Sequence, residues 1–199
     1  MTKNVLLVGV GGQGTILVSK LLTTGLMEAG YDVKMSEIHG MSQRGGSVST
    51  HVRYGEDVYS PVIEEGGADL LISFEKKEAI RWLKFLNPEG HLIVNNYRMD
   101  PLPILIGKDI YPEKDIDKEL ESLDATVINA FDKANELGNI KVMNVILLGT
   151  VVKMMNLEYI DWEEIIRNNV KEKFIDVNIN AFNEGMKLIE KREGDIYAL

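Results

Sequence analysis

The sequence predicts an α/β protein with a doubly wound, mostly parallel sheet and a helical C-terminal part. Residues 5–8 form a short apolar run, Val-Leu-Leu-Val, which is typical of a strand buried on both faces of a parallel sheet. A glycine-rich turn follows, and from Gln13 to Ala29 apolar residues recur at helical spacing before Gly30. Beyond residue 142 every apolar pattern is helical. Strand, glycine turn and helix in this order open a doubly wound, Rossmann-like fold.

The remaining elements follow from apolar runs and from the positions of glycine and proline. The second strand is predicted around Val33 and Met35, and residues 47–54 are predicted to form an antiparallel strand at an edge of the sheet. Further strands are predicted at residues 69–73, 91–94 and 125–128. Helices are predicted at residues 75–85, 142–155, 162–174 and 178–191. Residues 87–90 read as a turn and residues 101–112 as a proline-interrupted surface connection.

Length and composition predict one soluble domain over residues 1–199. With 22 basic and 31 acidic side chains, the formal net charge is −9. An acidic chain repels phosphate backbones and anionic lipid, so neither nucleic acid nor a membrane is an expected partner. The sequence has no cysteine, which excludes disulfides and thiolate-bound iron–sulfur clusters. The N-terminal apolar run is too short for a signal peptide, and we therefore expect a cytoplasmic protein.

The first glycine turn, residues 9–14, reads Gly-Val-Gly-Gly-Gln-Gly and lies between a predicted strand and a predicted helix. In this spacing Gly9 allows the tight turn, Gly11 leaves room for a pyrophosphate, and Gly14 lets helix and strand pack closely. The helix N-terminus beyond it favours an anion. A dinucleotide site also requires an acidic residue about 20 positions on, where Glu37 stands. The predicted binding residues of this turn are Gly9, Gly11, Gly12, Gln13 and Gly14.

A second loop, residues 36–48, follows the second predicted strand and is the more distinctive of the two. In an open α/β sheet it would lie at the carboxyl edge beside the first turn, where ligands bind. His39, Gln43 and Arg44 are candidate catalytic or positioning residues, because Arg44 can hold a carboxylate or phosphate through two hydrogen bonds. Gly45 and Gly46 allow close backbone approach and are added to the predicted binding residues. His51 and Arg53, on the strand that follows, are weaker candidates.

Taken together, the two loops resemble the gamma domain of 2-oxoacid:ferredoxin oxidoreductases. The likeness is carried by residues 9–14 and by residues 39–46, which read His-Gly-Met-Ser-Gln-Arg-Gly-Gly. The second loop is most similar to the branch of that family that acts on indolepyruvate, because the pyruvate and 2-oxoglutarate branches usually lack the His-Gly-Met run. Shorter matches near residues 51–61, 68–75, 138–149 and 180–185 extend the likeness over nearly the whole chain.

This resemblance implies an enzyme subunit that supports oxidative decarboxylation of an arylpyruvate and is inactive alone. Coenzyme A would take the acyl group and ferredoxin the electrons. Thiamine diphosphate, its magnesium ion and the iron–sulfur clusters would lie in a larger alpha subunit, and no cofactor would be bound by this chain alone. The absence of cysteine and of a Gly-Asp-Gly motif agrees with this division of labour.

The residues alone leave three alternative functions open. The substrate could be pyruvate or 2-oxoglutarate, the glycine turn alone would suit an NAD(P)-dependent dehydrogenase, and the chain could be a regulatory ligand-binding module. A further pair of alternatives concerns the apolar helix at residues 142–155. Either this helix or the later C-terminal helices face the alpha subunit, or they complete the core of this domain.

Overall fold

In the computed structural model, which describes residues 2–38, 45–100, 102–108 and 110–189, six strands form one sheet in the order β2-β3-β1-β4-β5-β6. Strands β1, β4, β5 and β6 are mutually parallel. Because β3 is antiparallel to both β1 and β2, strand β2 runs in the same direction as β1. The predicted fold class, a doubly wound and mostly parallel α/β sheet, is confirmed. The strands are β1 Lys3–Val10, β2 Asp32–Ile38, β3 Ser47–Gly55, β4 Ala68–Ser73, β5 Leu86–Asn95 and β6 Ala125–Ile128.

Strand β3 is antiparallel as predicted, but its predicted position at the edge is wrong. It lies between β1 and β2, with Leu6 opposite His51 on one side and Ser36 opposite His51 on the other. The connection between β2 and β3 is short, and strands joined by a short connection usually pair directly with each other as an antiparallel hairpin. β2 thus becomes the edge strand, and β3 separates it from β1.

The helices pack on both faces of the sheet. One hydrophobic cluster joins α1 and the C-terminal helices to one face, and a second cluster joins α2 and α4 to the other. Among the described residues, no helix combines the length and apolar character that a bilayer span requires. The helices are α1 Thr15–Glu28, α2 Lys76–Trp82, α3 Leu102–Leu105, α4 Glu113–Ser122, α5 Ala130–Glu136, α6 Met143–Met154, α7 Trp162–Asn169 and α8 Ile175–Lys187.

Several predicted boundaries need correction. The helix predicted at residues 75–85 ends as α2 at Trp82 and continues as a 3-10 turn, Leu83–Phe85. Residues 87–90, predicted as a turn, belong to β5, which begins at Leu86 with a register irregularity opposite Ala68. The helix predicted at residues 162–174 ends at Asn169, and α8 begins three residues earlier than predicted. Helices α4 and α5 were not predicted, and the surface connection at residues 101–112 contains α3.

Helix α6 is buried on every face. All of its residues from Met143 to Val152 are buried, and the helix packs against α8, α5 and α1. Of the two alternatives for this segment, the structure therefore favours a helix that completes the core of this domain. Residues 143–152 of this helix are therefore covered by the chain itself.

Candidate functional site

The carboxyl edge of the sheet brings the two glycine segments together. The parallel strands end there, the first glycine turn follows β1, and β3 begins there because it runs the opposite way. The Gly11 amide donates to the Gly46 carbonyl at 2.8 Å, and the Gly45 amide donates to the Gly11 carbonyl at 3.2 Å. These two hydrogen bonds extend the β1–β3 ladder beyond the Val10–Ser47 pair. Gly45 and Gly46, at the end of the second loop, therefore lie directly beside the first turn.

Gln13 holds the first turn against the next strand. Its Oε1 accepts from the Val10 amide at 2.7 Å, and its Nε2 donates to the Phe74 carbonyl at 3.0 Å. The side chain is buried, so both ends of the amide are used inside the protein. The structure thus gives Gln13 a positioning role in the turn. Its predicted part in cofactor binding stays a prediction.

Asn95, at the end of β5, extends this network across the sheet. Its Nδ2 donates to the same Phe74 carbonyl at 3.3 Å, and its Oδ1 accepts from the Ala130 amide at 3.1 Å. Asn95 is fully buried, where an unsatisfied amide would be costly. Phe74 itself donates its amide to the Val8 carbonyl at 2.8 Å. The ends of β1, β4, β5 and the start of α5 are therefore tied by one buried set of hydrogen bonds.

Glycine is required at different positions of the turn for different structural reasons. A Cβ on Gly9 would stand 2.8 Å from Gln13 Oε1 and 3.0 Å from Phe74 Cβ. Gly14 adopts a left-handed φ of 81° at the N-cap of α1, and a Cβ there would overlap the amide of Asn144. The close packing at Gly14 is thus between α1 and α6, not between helix and strand as predicted. Gly12 has a φ of 104° and open space around it.

The geometry differs from a dinucleotide site at two points. Glu37, the acidic residue at the expected spacing, lies on β2, which β3 separates from β1 by two strand spacings of about 4.8 Å each. Its Oε1 accepts from the Ser19 hydroxyl at 2.7 Å. The Gly11 amide, which could face a pyrophosphate, is bonded to Gly46. Neither group is arranged as a nicotinamide dinucleotide requires.

A buried acidic cluster at the same edge was not predicted. Glu75, the N-cap of α2, accepts from the Glu78 amide at 3.0 Å and from the Tyr111 hydroxyl. Burial raises the pKa of Glu75, against the opposing effect of these hydrogen bonds. Lys76 is nearly buried and pairs with Asp117 at 2.8 Å and with Glu113 at 3.3 Å. The sequence feature that could have indicated Glu75 and Lys76 is their position directly after a buried apolar strand, because residues there lie at the carboxyl edge of the sheet.

The remaining predicted site residues fall in three places. His39, Gln43 and Arg44 lie outside the described residues. His51 is buried in β3, its Nδ1 accepts from the Ile63 amide at 3.1 Å, and burial lowers its pKa. Arg53 lies toward the amino edge, where it bonds Asn4 Oδ1 at 2.8 Å and the carbonyl of Ser60 at 2.9 Å. His51 and Arg53 are therefore not brought to the glycine turn.

Other features of the surface lie apart from the turn. A cleft of about 790 Å³ is lined by residues of α6, α7 and α8 and the segments next to them, and shares no residue with the glycine turn. Within the described ranges, no three His, Asp or Glu side chains converge as a metal ion would require. The chemistry suggested by the sequence therefore centres on the carboxyl edge.

Curated proteins of related sequence match nearly the whole chain. An indolepyruvate oxidoreductase subunit IorB from Thermococcus kodakarensis is 39% identical over 197 residues, covering 96% of this chain and 98% of the relative. The protein of the same name from Archaeoglobus fulgidus is 40% identical over 192 residues, covering 93% and 94%. A 2-oxoglutarate synthase subunit KorC from Methanothermobacter marburgensis is 26% identical, covering 95% and 97%.

Two solved structures share the fold. The gamma subunit of a keto/oxoacid ferredoxin oxidoreductase from Geobacter sulfurreducens has a TM-score of 0.68 at 21% identity, covering 94% of this chain and 97% of that one. A 2-oxoglutarate:ferredoxin oxidoreductase from Magnetococcus marinus, with 2-oxoglutarate, coenzyme A and succinyl-CoA bound, has a TM-score of 0.75 at 19% identity. The match covers 97% of this chain and 32% of that one, so there the fold is part of a longer chain.

The family model for pyruvate ferredoxin/flavodoxin oxidoreductase matches residues 4–188, which include both glycine segments and the whole sheet except Lys3, the first residue of β1. The predicted family is confirmed by this match and by the relatives at 39% and 40% identity. The chain belongs to the pyruvate ferredoxin/flavodoxin oxidoreductase family.

Proposed function

We propose that this chain is the small subunit of a ferredoxin-dependent arylpyruvate oxidoreductase, with indolepyruvate as a substrate. The complex would decarboxylate an arylpyruvate oxidatively, pass two electrons to ferredoxin and release an aryl-acetyl-CoA. The proposal is supported by the full-length likeness to indolepyruvate oxidoreductase subunits. It is supported also by the paired glycine loops, which stand where ligands bind in open α/β sheets.

The residues of this chain do not fit the redox cofactors of such a reaction. Its sequence has no cysteine for a thiolate-bound cluster, and the described residues hold no convergent set of metal ligands. Thiamine diphosphate, magnesium and the iron–sulfur clusters therefore belong to a companion alpha subunit in this proposal. This chain would bind or position a substrate against them.

The positioning role falls to the two glycine loops. The observation that carries it is the pair of hydrogen bonds between Gly11 and the Gly45–Gly46 segment. They fix Gly45 and Gly46, at the end of the second loop, beside the first turn. Arg44, together with Gly12 and Gly14 of the first turn, is proposed to hold the carboxylate of the arylpyruvate or a phosphate of coenzyme A.

Replacing Arg44 tests this role in the complete complex. Arg44→Ala is expected to raise the apparent KM for arylpyruvate or coenzyme A by about tenfold or more, because a charge-assisted hydrogen bond is lost. Arg44→Lys should recover only part of the loss, since lysine cannot bind through two parallel hydrogen bonds. Arg167→Ala, on the exposed face of α7, is the matched control. Unchanged kinetics for both Arg44 variants would remove Arg44 from the site.

Substrate preference separates this proposal from its close alternative. Identity to the indolepyruvate oxidoreductase subunits is 39% and 40%, against 26% to the 2-oxoglutarate synthase subunit, which favours an arylpyruvate. The complex is expected to show a higher kcat/KM for indolepyruvate than for pyruvate or 2-oxoglutarate. The opposite order would favour the pyruvate or 2-oxoglutarate alternative.

A stand-alone dehydrogenase or a regulatory module remains the alternative of another class. The position of Glu37 and the bonded Gly11 amide disfavour a nicotinamide dinucleotide site. Titration of the isolated chain with NADH and NADPH provides the direct test. Micromolar affinity for either would support the dehydrogenase, and a chain purified without any cofactor-bearing companion would support the module.

A further inference from the structure

We infer that the carboxyl edge of the sheet is the docking face for the companion chain that carries the reactive cofactors. Six exposed aliphatic side chains near this edge form its apolar contact. We call this set the aliphatic rim. The inference rests on the proposed function and names the surface through which it operates. The rim consists of Ile16, Ile38, Leu105, Ile106, Ile110 and Ile140.

Three rim residues lie beside the two glycine segments. Ile16 is in the first turn of α1, two residues after Gly14. Ile38 is the last residue of β2 and leads into the second loop. Ile140 lies one helical turn before Asn144, whose Nδ2 donates to the Gly14 carbonyl at 3.2 Å. All three are at least half exposed.

The other three lie on the connection from β5 to α4. Ile110 is 81% exposed, and Leu105 and Ile106 are also exposed. This connection is anchored on both sides of α3, because Glu75 accepts from the Tyr111 hydroxyl and from the Met99 amide. Lys76 adds an ion pair to Glu113 at the start of α4. The exposed aliphatic residues are thus presented from a connection that a buried carboxyl group holds to the sheet.

Single exposed aliphatic residues are common on protein surfaces and need no explanation. The six residues of the rim indicate an interface because they all lie near the same edge of the sheet. Six strands at a spacing of about 4.8 Å make this edge roughly 24 Å wide. The rim extends from the end of β2 at one side to the connection after β5 near the other. A face of this width matches a protein–protein interface of standard size, whose centre is apolar.

The occupant is a different chain rather than a second copy of this one. Two copies would bring together two chains of net charge −9 and cover both glycine turns without adding a reactive group. A cofactor-bearing chain, in contrast, must reach the turn if the turn positions its substrate. The turn and the rim lie at the same edge of the sheet, so a chain seated on the rim is brought close to the turn.

Association with the companion chain tests the inference. The complex is purified, its thiamine diphosphate and iron are measured, and the dissociation constant of the two chains is determined with variants of this chain. Ile16→Glu/Ile140→Glu and, separately, Ile110→Glu should each weaken association by about tenfold or more, as charges at an apolar contact do. Val62→Glu is the control, because Val62 is 55% exposed, close to the 53% of Ile140, but lies on the amino-edge connection between β3 and β4.

The outcomes separate the docking face from the proposed function. The docking face is overturned if wild-type chain binds a cofactor-bearing companion and the rim variants bind it as tightly as Val62→Glu does. Circular dichroism must show that these variants are folded. The proposed function stands in that case. If wild-type chain has no such companion, the proposed function fails first. Self-association of the isolated chain that the rim variants abolish would assign the face to a second copy and overturn the inference. Should the double variant not fold, Ile110→Glu decides, since Ile110 is almost fully exposed.

Discussion

A Cβ on Gly149 would stand 3.0 Å from the Cα of Gly185, because α6 and α8 cross in backbone contact at these two glycines. A Cβ on Gly185 would overlap the Ile146 backbone in turn. The pair lets α8 lie directly on the buried helix α6, and these two helices make the most extensive helix–helix contact of the described residues. The position of α6 matters for the site because Asn144, at its first turn, holds Gly14.

Gly149→Ala is expected to lower the free energy of unfolding by about 1–2 kcal/mol. Overpacking against backbone costs roughly 1–3 kcal/mol, and the higher helix propensity of alanine offsets up to about 1 kcal/mol of it. Urea unfolding measures the change. Asn180→Ala, at an exposed position of α8, should change stability by less than about 0.5 kcal/mol. Equal stability of both variants would contradict the close crossing.

Gln13→Glu should make stability depend on pH. The new carboxylate would face the Phe74 carbonyl, to which Gln13 now donates at 3.0 Å. Burial raises the pKa of such a carboxyl, so the folded state binds more protons than the unfolded state above pH ~4.3, and stability falls as pH rises. The variant should be closer to wild type at pH 5 than at pH 8. Gln13→Met, which cannot titrate, should lose about 1–3 kcal/mol at both pH values.

Much of the fold could be predicted because it depends on local patterns. Strands β1 and β4 are continuous apolar runs buried on both faces, and the helical spacing of α1 ends at Gly30. The position of β3 depends instead on which strands its two edges meet. Alternation at residues 47–54 predicted a strand there but carries no information on its neighbours. Helix α4 was missed because only Ile116 and Leu120 of its ten residues are buried.

The candidate site was also predicted only in part, because some of its residues form local sequence patterns and others do not. Glycines are visible in a sequence, and the pairing of Gly11 with Gly46 follows once both loops are placed at one sheet edge. Glu75 and Asn95 could not be recognised in the same way. An isolated Glu or Asn after an apolar strand resembles a solvated residue, and only the folded chain brings Tyr111 and Ala130 to them.

Lowering the pH is expected to destabilise the protein through His51. Burial lowers the pKa of His51 below its ordinary value of 6.5, so the unfolded state binds the proton first. Stability should therefore fall as pH decreases below about 6.5, by up to ~1.4 kcal/mol per pH unit from this residue. Protonation also removes the Nδ1 acceptor that the Ile63 amide uses at 3.1 Å.

His51→Asn isolates this contribution. The Asn carbonyl can still accept from the Ile63 amide, but it does not titrate. Thermal unfolding between pH 5 and pH 8 should show a smaller loss at low pH for the variant than for wild type. A loss of equal size in both proteins would assign the acid sensitivity to other groups.

Glu75 is expected to act in the opposite direction. Burial raises its pKa above the ordinary value of 4.5, despite hydrogen bonds from Tyr111 and the Glu78 amide that favour the carboxylate. For an acid with a raised folded pKa, the stabilisation is fully present below the unfolded pKa and is lost as pH rises through the folded pKa. Part of the stability of wild type should therefore disappear as pH increases above about 4.5.

Glu75→Gln removes that titration while its carbonyl keeps an acceptor for the Glu78 amide and its amide group can donate to the Tyr111 oxygen. The stability of this variant relative to wild type should rise with pH between about 4.5 and 8. Glu89→Gln, at an exposed position of β5, should follow wild type throughout. If the stability of Glu75→Gln instead followed that of wild type at every pH, Glu75 would be ionised throughout the tested range. Its hydrogen bonds would then outweigh burial, and the connection that carries Ile110 would be anchored by a charged carboxylate.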